Sequence, residues 1–303
     1  MLQPALRTQL AAPIRSCQLP ARRLLSATSP VQDPRKANLD NAPAKPHTID
    51  PRWLTMIKRR IGKCMMFGLR PDQINEGGQI LQQLANDWRE LLAGSEGFLT
   101  DKKRRSLFKH NVVWGEQVRD WAYIWMSWVC HVNNVTYVRY AETARVNWTR
   151  NIGTYIDPAN KKEWINLVGS TGVGLILRSI KVDYKFPMTS PDKITVYQRL
   201  VPDPNSFLSR QSAFQLQVMI LSEAKQRPAA RCHEDIVTYD YKRNQKTHNL
   251  PPFVMEQFKV IYELQEQAQK EWQQQIAEIE NRVRTLELES WDRVDAIEDN
   301  GSS

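Results

Sequence analysis

Four segments in the second half of the chain alternate apolar and polar residues, and this pattern constrains the fold more than any other feature. The segments are 180–186, 194–200, 214–220 and 236–241. Strict alternation over such lengths is typical of strands with one buried face. Residues that favour turns separate the segments, namely Pro187, Pro191, Pro202, Pro204 and Pro228. The sequence therefore predicts a sheet of consecutive antiparallel strands.

One strand and one helix precede these four segments. Residues 107–114 form a short β run, LFKHNVVW. A helix over Val135 to Ile152 places an apolar face toward the sheet, formed by Tyr137, Ala141, Ala144 and Trp148. The order predicts an α+β fold, with an antiparallel sheet wrapped around one central helix, because this arrangement buries both apolar faces. We place this domain at residues 101–245.

A helical preface precedes the predicted sheet domain over residues 51–100. Its apolar residues fall mostly at three- and four-residue spacing. Gly68 and the Arg70-Pro71 step should divide it into two helices. We expect this preface to pack on the main domain.

A long C-terminal helix is predicted over residues 252–290, followed by a disordered tail over 291–303. The stretch 253–289 contains no glycine or proline. Its apolar positions follow a four-three spacing at Trp272, Ile276, Ile279, Val283 and Leu286. This seam is typical of a coiled coil, but a helix that packs back on the domain explains it equally well.

The N-terminus has the composition of a mitochondrial transit peptide over residues 1–25. It is rich in Leu, Ala and Gln, contains serine, and has no acidic residue before Asp33. Its four basic residues are Arg7, Arg15, Arg22 and Arg23. The tetrad 23–26 (RLLS) predicts cleavage after Leu25 and a location in the mitochondrial matrix. The alternative is an ordinary disordered tail. Residues 26–50, rich in proline, form a linker.

Composition and charge exclude few classes of binding partner. The formal net charge of +9 suits anionic partners such as coenzyme A phosphates, and it would also suit nucleic acid. No apolar run approaches the roughly 18 residues that a transmembrane helix needs. The cysteines form no CxxC pair, and they are Cys17, Cys64, Cys130 and Cys232. We expect no transmembrane segment, no metal and no cofactor.

The segment 131–145, HVNNVTYVRYAETAR, carries the most specific motif of the chain. It resembles the HVNN…Y…E…R signature of hot-dog fold thioesterases, and the order of strand, helix and four strands is similar to that fold over residues 105–242. The wider chain also resembles a fungal group of mitochondrial thioesterase-like proteins. The shared stretches include RIGKCMMFGL, DWRELLAGSEGFLT, GLILRSIKVDYKFPM and RPAARCHEDIV.

The resemblance implies a site at the start of the central helix. The first turn of a helix offers unpaired N–H groups that stabilise the oxyanion of acyl transfer. His131 would position water or donate to the thioester carbonyl, and Asn134 would be the second catalytic residue at that turn. Asn133 and Tyr137 would bind substrate. The family's carboxylate, a nucleophile or general base, usually lies four residues before the histidine.

The chain departs from the family pattern before His131. Ser127 stands four residues earlier, and about nine residues are extra between Trp114 and His131. Three explanations are open for the tryptophan-rich segment 118–130: translated intron or a mis-predicted exon edge, a real insertion that lines an acyl tunnel or contacts a membrane, or a degenerate site. If the insertion is real, Asp120 is the nearest candidate carboxylate and Glu116 the second. A solvated loop acid is the alternative for both.

Other groups have competing explanations. Glu142 is a reserve base or the partner of an ion pair with Arg139 or Arg145. The glycine-rich stretch 169–174 predicts a turn, because it precedes a strand rather than a helix. The triplet 233–235 (His, Glu, Asp) lacks metal-ligand spacing, which indicates a surface position. The basic run 102–105 could bind phosphate, although such runs are mostly solvated loops.

Two functions follow from these observations. The first is hydrolysis of acyl-CoA or acyl-carrier thioesters in mitochondria. The second is a catalytically silent hot-dog scaffold or binding protein of a mitochondrial complex. The resemblance implies that two units pair their sheets, so we expect a homodimer or a higher homo-oligomer. Nucleic acid is not an expected partner.

Overall fold

The computed structural model describes residues 49–113, 131–201 and 212–296. The longer helices are α1, Trp53–Met66; α2, Pro71–Gly94; α3, Asn134–Asn151; and α5, Pro252–Glu289. A π turn (Ile152–Ile156), a 3-10 turn (Pro158–Asn160) and the short helix α4 (Lys161–Asn166) follow α3. The strands are β1, Leu107–Asn111; β2, Val173–Tyr184; β3, Lys193–Val201; β4, Ala213–Ser222; β5, Arg227–Asp240; and β6, Gln245–Lys246.

The strands form one antiparallel sheet in the order β1-β3-β4-β5-β2, with β6 paired to the end of β5. The strands β3, β4 and β5 follow one another as a meander. Val218 in β4 lies between Gln198 of β3 and Cys232 of β5. The long strand β2 pairs with β5, so β1 and β2 are the two ends of the described sheet.

Helix α3 packs against the inner face of this sheet. Its buried residues Tyr137, Tyr140, Ala141 and Ala144 join one apolar cluster with alternate residues of the central strands. Those strand residues are Ile194, Val196, Val218, Ile220, Ala230 and Cys232. The small side chains of Ala141 and Ala144 are fully buried, so they form the part of α3 that faces the sheet. The predicted α+β fold, with an antiparallel sheet wrapped around a central helix, is confirmed.

Two strands are longer than the alternation predicted, and one predicted turn is wrong. β2 already begins at Val173, directly after the turn at Gly172, whose φ is +80°. Pro228 lies inside β5, beside an irregularity in its pairing with β4. Such irregularities tolerate a proline, which lacks the N–H that a regular ladder requires. The turn itself comprises residues 223–226.

Helices α1, α2 and α5 form a layer on the outer face of the sheet, which we call the helical layer. One apolar cluster joins the three helices to Tyr197, Met219 and Leu221 of β3 and β4. The seam of α5 lies in this cluster through Ile276, Ile279, Val283 and Leu286. The seam therefore packs within the chain, against α1 and α2. The helical preface is divided between Met66 and Pro71.

The first half of α5 contacts a different part of the domain. Phe258 packs against Trp148 at the end of α3 and against Phe214 of β4, with ring centroids 6.2 and 4.9 Å apart. Gln265 accepts from the Leu200 N–H and donates to the Leu200 carbonyl, at 2.9 and 3.0 Å. Helix α5 thus ties the sheet to the helical layer. The predicted transit peptide (1–25), most of the linker, segment 118–130 and the last seven residues of the tail lie outside the described residues.

Candidate functional site

The HVNN motif lies at the start of α3 and is fixed by a short contact with the segment after β2. His131 forms an isolated antiparallel bridge with Thr189. The Val132 N–H donates to the Met188 carbonyl at 2.9 Å, and the side chains of Val132 and Met188 are buried. His131 itself is exposed. The backbone pairing therefore holds the motif in place and leaves the imidazole at the surface.

Asn133 caps α3, and Asn134 is the first residue of the helix. The Asn133 side chain accepts a hydrogen bond from the Val135 N–H at 3.1 Å, and the Thr136 N–H donates to the Asn133 carbonyl at 2.9 Å. No described residue accepts a hydrogen bond from the Asn134 N–H. Asn134 is an exposed residue, and its N–H lies at the positive end of the helix dipole, where negative charge is stabilised. It is the open donor of the turn.

Tyr137 is buried behind this turn. Its hydroxyl accepts a hydrogen bond from the Met188 N–H at 3.1 Å, and its ring packs edge to face on Tyr184 with centroids 5.1 Å apart. The Tyr184 hydroxyl donates to the Asn134 carbonyl at 3.3 Å. Burial raises the pKa of Tyr137 above its ordinary value, so the phenol stays protonated at neutral pH. The two tyrosines fix the geometry of the first turn, and a substrate-binding role of Tyr137 stays a prediction.

The carboxylate of the proposed site is not among the described residues. Asp120 and Glu116 fall in segment 114–130, together with Ser127. No described carboxylate lies within 4.0 Å of the His131 imidazole. The structure thus brings together His131, Asn133, Asn134 and Tyr137, and the role of Asp120 stays a prediction.

A buried ion pair crosses between α3 and β5, and the position of one of its members differs from the sequence-based prediction. Arg145 contacts Glu234 at 2.6 Å, and their side chains are 11% and 0% exposed. Glu234 was predicted at the surface with its neighbours. It is buried because it continues the alternation of Cys232 and Ile236, which face α3. That period of two was the signal that could have placed it.

The ion pair leaves one oxygen atom without a partner. Burial raises the pKa of Glu234 above its ordinary value, although the charge and hydrogen bond of Arg145 act in the opposite direction. Glu234 Oε2 is buried and accepts no hydrogen bond from any described residue. Glu142 is exposed one turn earlier on α3, and Arg145 pairs with Glu234 instead of with it. The reserve-base role of Glu142 stays a prediction.

Two kinds of chemistry find no support in the described part of the chain. Burial raises the pKa of the Cys232 thiol to about 12, so this cysteine is not a nucleophile at neutral pH. In residues 49–113, 131–201 and 212–296, no three His, Cys, Asp or Glu side chains are grouped to hold a metal ion.

No helix within those ranges is long and apolar enough to span a bilayer.

Comparison with known proteins identifies the domain that carries the site. The family model of the thioesterase-like superfamily matches residues 124–258. A search of curated proteins found no match. Among solved structures, the chain is similar to PA2801, a putative thioesterase from Pseudomonas aeruginosa, with 21% identity and a TM-score of 0.36. That match covers 49% of this chain and 94% of that one.

Two further solved structures show similar likenesses. A DHNA-CoA thioesterase from Staphylococcus aureus is 15% identical with a TM-score of 0.39, covering 54% of this chain and 94% of that chain. A thioesterase from Thermus thermophilus, complexed with coenzyme A and Zn, is 21% identical with a TM-score of 0.30. That match covers 43% of this chain and 81% of the other.

The antiparallel sheet curled around α3 is a hot-dog fold, and residues 124–258 of the chain match the thioesterase-like superfamily. The resemblance drawn from the HVNN motif is thereby confirmed at the level of superfamily and fold.

Proposed function

We propose that this protein hydrolyses acyl-CoA or acyl-carrier thioesters in mitochondria. The observation that carries the proposal is the exposed first turn of α3, where the open Asn134 N–H lies beside the exposed His131. A thioesterase needs a donor where negative charge develops on the carbonyl oxygen. It also needs a group that positions water or a carboxylate at the carbonyl carbon.

Each residue of the motif has a distinct role in the proposed reaction. The Asn134 N–H binds the oxyanion, and Asn133 keeps the helix start in the conformation that exposes this donor. His131 positions the water or donates to the carbonyl. Asp120 is the candidate carboxylate, as nucleophile or general base.

The proposed working unit is a homodimer or a higher homo-oligomer. β2 has 12 residues and pairs only with β5 among the described strands. On its other edge the Leu175 N–H donates to the Leu167 carbonyl at 2.7 Å, and no described strand pairs with the rest of that edge, so another strand can bind there. Leu175, Ile176, Leu177, Ile180 and Val182 along β2 are only partly buried. A second copy that pairs along β2 would satisfy the backbone and cover these side chains.

The test is release of free thiol from acyl-CoA esters of increasing chain length by the purified protein. His131→Ala should reduce turnover by about 100-fold or more, which is the usual range for loss of general acid–base help. His248→Ala is the matched control, because His248 is also exposed but lies after β6. Asp120→Asn and Glu116→Gln, compared side by side, identify the carboxylate. Turnover that survives His131→Ala would refute the site.

The alternative is a silent hot-dog scaffold of a mitochondrial complex. It is favoured by Ser127, which stands where the family has its carboxylate. A folded protein that hydrolyses no acyl-CoA or acyl-carrier ester, while it co-purifies with a large mitochondrial assembly, would establish this alternative.

A further inference from the structure

A basic cleft of about 330 Å³ lies where the start of α1 meets the end of β2 and the start of β5. Its lining includes Arg52 directly before α1, Lys185 and Phe186 directly after β2, and Arg227 and Arg231 from β5. These residues are far apart in sequence, and the helical layer brings Arg52 to the sheet. The cleft is therefore made jointly by the preface and the hot-dog domain.

Three cations of the cleft have no carboxylate partner. Arg231 is excluded from this set, because both its terminal nitrogens contact Glu96, at 2.5 and 2.6 Å. No described carboxylate lies within 4.0 Å of the charged groups of Arg52, Lys185 or Arg227. Unpaired like charges in one concave site repel each other and attract an anion.

The single acid of the lining does not neutralise this set. The Asp50 carboxylate accepts a hydrogen bond from the Arg52 backbone N–H at 2.6 Å, so it is engaged with the backbone. One carboxylate against three unpaired cations leaves the cleft with net positive charge. α1 also begins here with no acid in its first turn, which adds the positive end of its dipole.

Arg227 is already oriented before any ligand binds. Its guanidinium lies over the Phe186 ring, 4.3 Å from the centroid, and Phe186 packs against the core cluster under α3. A guanidinium held in this way binds phosphate oxygens in a fixed geometry and loses little entropy on binding. The cleft volume is at the lower end of the roughly 300–1,000 Å³ of small-molecule sites. This volume fits a nucleotide better than a whole acyl-CoA.

The cleft is joined to the α3 site by a short run of chain. Phe186 is three residues from Thr189, which pairs with His131. Three residues span at most about 10 Å. Tyr184, directly before Lys185, donates to the Asn134 carbonyl. A ligand anchored in the cleft could therefore extend a flexible arm to the open N–H of α3.

We propose that this cleft binds the phosphate groups of the coenzyme A moiety of the substrate, with Arg52, Lys185 and Arg227 as the ligating cations. This inference rests on the proposed function, because it assigns the carrier of the thioester. It also assigns a role to the preface: Arg52 makes it part of the substrate site.

The test is calorimetric binding of coenzyme A, 3′-dephospho-coenzyme A, ATP and pantetheine to the full chain, without turnover. The double variant Arg52→Gln with Lys185→Gln removes two exposed charges and should weaken coenzyme A binding by about tenfold or more, as expected for lost charge-assisted hydrogen bonds. The matched control, Lys161→Gln with Lys162→Gln, removes two exposed charges outside the cleft and should bind coenzyme A like the unaltered chain. Pantetheine has no phosphate, so its affinity should be the same for the double variant, the control and the unaltered chain.

Kinetics give an independent measure. For acyl-CoA, the Arg52 and Lys185 double variant should raise KM and leave kcat unchanged. For an S-acyl-N-acetylcysteamine ester, which has no phosphate, it should change neither constant. Arg227→Gln should act in the same direction, and thermal melting verifies that each variant is folded.

The outcomes separate the cleft from the proposed reaction. If the folded double variant binds coenzyme A as tightly as the unaltered chain, the cleft does not bind the coenzyme A phosphates. The proposed thioester hydrolysis would not be affected by that result. ATP bound as tightly as coenzyme A would overturn the assignment to coenzyme A. A chain that hydrolyses no thioester but loses coenzyme A binding in the double variant would support the cleft and refute the proposed function.

Discussion

The two faces of the sheet are covered in different ways. The inner face carries α3, with an apolar contact and one buried ion pair, Arg145 with Glu234. The outer face carries the helical layer, whose apolar cluster is bordered by several ion pairs. These pairs include Arg89 with Glu223, Arg231 with Glu96 and Arg60 with Glu287. The contact under α3 is thus apolar around one ion pair, whereas the helical layer is held at its border by several ion pairs between its helices and the sheet or within the layer.

The ion pair of the inner face should show the largest effect on stability. Glu234→Leu leaves the largely buried Arg145 guanidinium with neither a counter-charge nor its hydrogen-bond acceptor, so the free energy of unfolding should fall by about 3–5 kcal/mol. The double change Arg145→Leu with Glu234→Leu removes both polar groups and should recover most of that loss. Urea unfolding of the three proteins measures this. A double variant as unstable as Glu234→Leu would contradict the account.

Truncation of the α5 seam should destabilise the helical layer almost as much. Ile279 is fully buried between α5 and the preface, so Ile279→Ala should lower the free energy of unfolding by about 2–5 kcal/mol. Leu288→Ala is the control on the same helix, because Leu288 is 50% exposed; its effect should stay within about 0.5 kcal/mol. Equal effects of the two changes would mean that α5 is not packed as described.

Two glycines of α2 should respond with opposite signs. A Cβ at Gly94 would overlap the Trp272 indole of α5, so Gly94→Ala should destabilise the protein by about 1–3 kcal/mol. A Cβ at Gly78 meets no atom within 4 Å, so Gly78→Ala should stabilise by roughly 1 kcal/mol through helix propensity. Thermal melting of both variants tests the contact between α2 and α5. Stabilisation by both substitutions would show that Trp272 does not lie on Gly94.

Acid should weaken the helical layer through Glu287, with a smaller effect. The hydrogen bond from Arg60, opposed by burial, lowers the pKa of Glu287 below its ordinary value. A lowered folded-state pKa gives stability that is present above the unfolded pKa of about 4.3 and is lost as the pH falls through the folded value. The advantage of the unaltered chain over Glu287→Gln should be about 1–2 kcal/mol at pH 6 and should decrease below pH 4.

Glu234 should behave in the opposite way, because burial raises its pKa. A raised folded-state pKa makes its contribution most favourable below the unfolded pKa and less favourable as the pH rises through the folded value. Urea titrations of Glu234→Gln and Glu287→Gln from about pH 3.5, below the ordinary glutamate pKa of about 4.3, to about pH 7, well above it, compare the two faces directly. Parallel pH profiles would contradict the assignment of the two carboxylates.

Sequence patterns predicted most of the fold, because alternation and helical spacing are local. They located α3 and at least five residues of each main strand. They missed the first half of β2, because a stretch with Gly169, Gly172 and Gly174 is also typical of a turn. They misjudged Pro228, because the ladder irregularity that tolerates it is set by the pairing with β4.

The candidate site was predicted only in part, for a related reason. The HVNN motif is contiguous, so the sequence shows it, and Asn133 and Asn134 occur at the start of the helix. The cleft is formed by Arg52, Lys185 and Arg227, which come from separate parts of the chain on two sides of the domain. The buried position of Glu234 also depends on which face of β5 meets α3. Tertiary packing determines both the cleft and the burial of Glu234, and a local sequence pattern carries no information about tertiary packing.

The most direct test of the α3 site compares turnover of Asn134→Pro with that of Asn134→Ala on an acyl-CoA ester. Proline at the first helical position keeps the helix and removes only the N–H, and Asn133, with φ −58° and ψ 138°, tolerates a following proline. If the open N–H binds the oxyanion, Asn134→Pro should lower kcat by about 100-fold or more beyond Asn134→Ala, with an unchanged melting temperature. Equal kcat values for the two folded variants would show that the start of α3 does not stabilise the oxyanion.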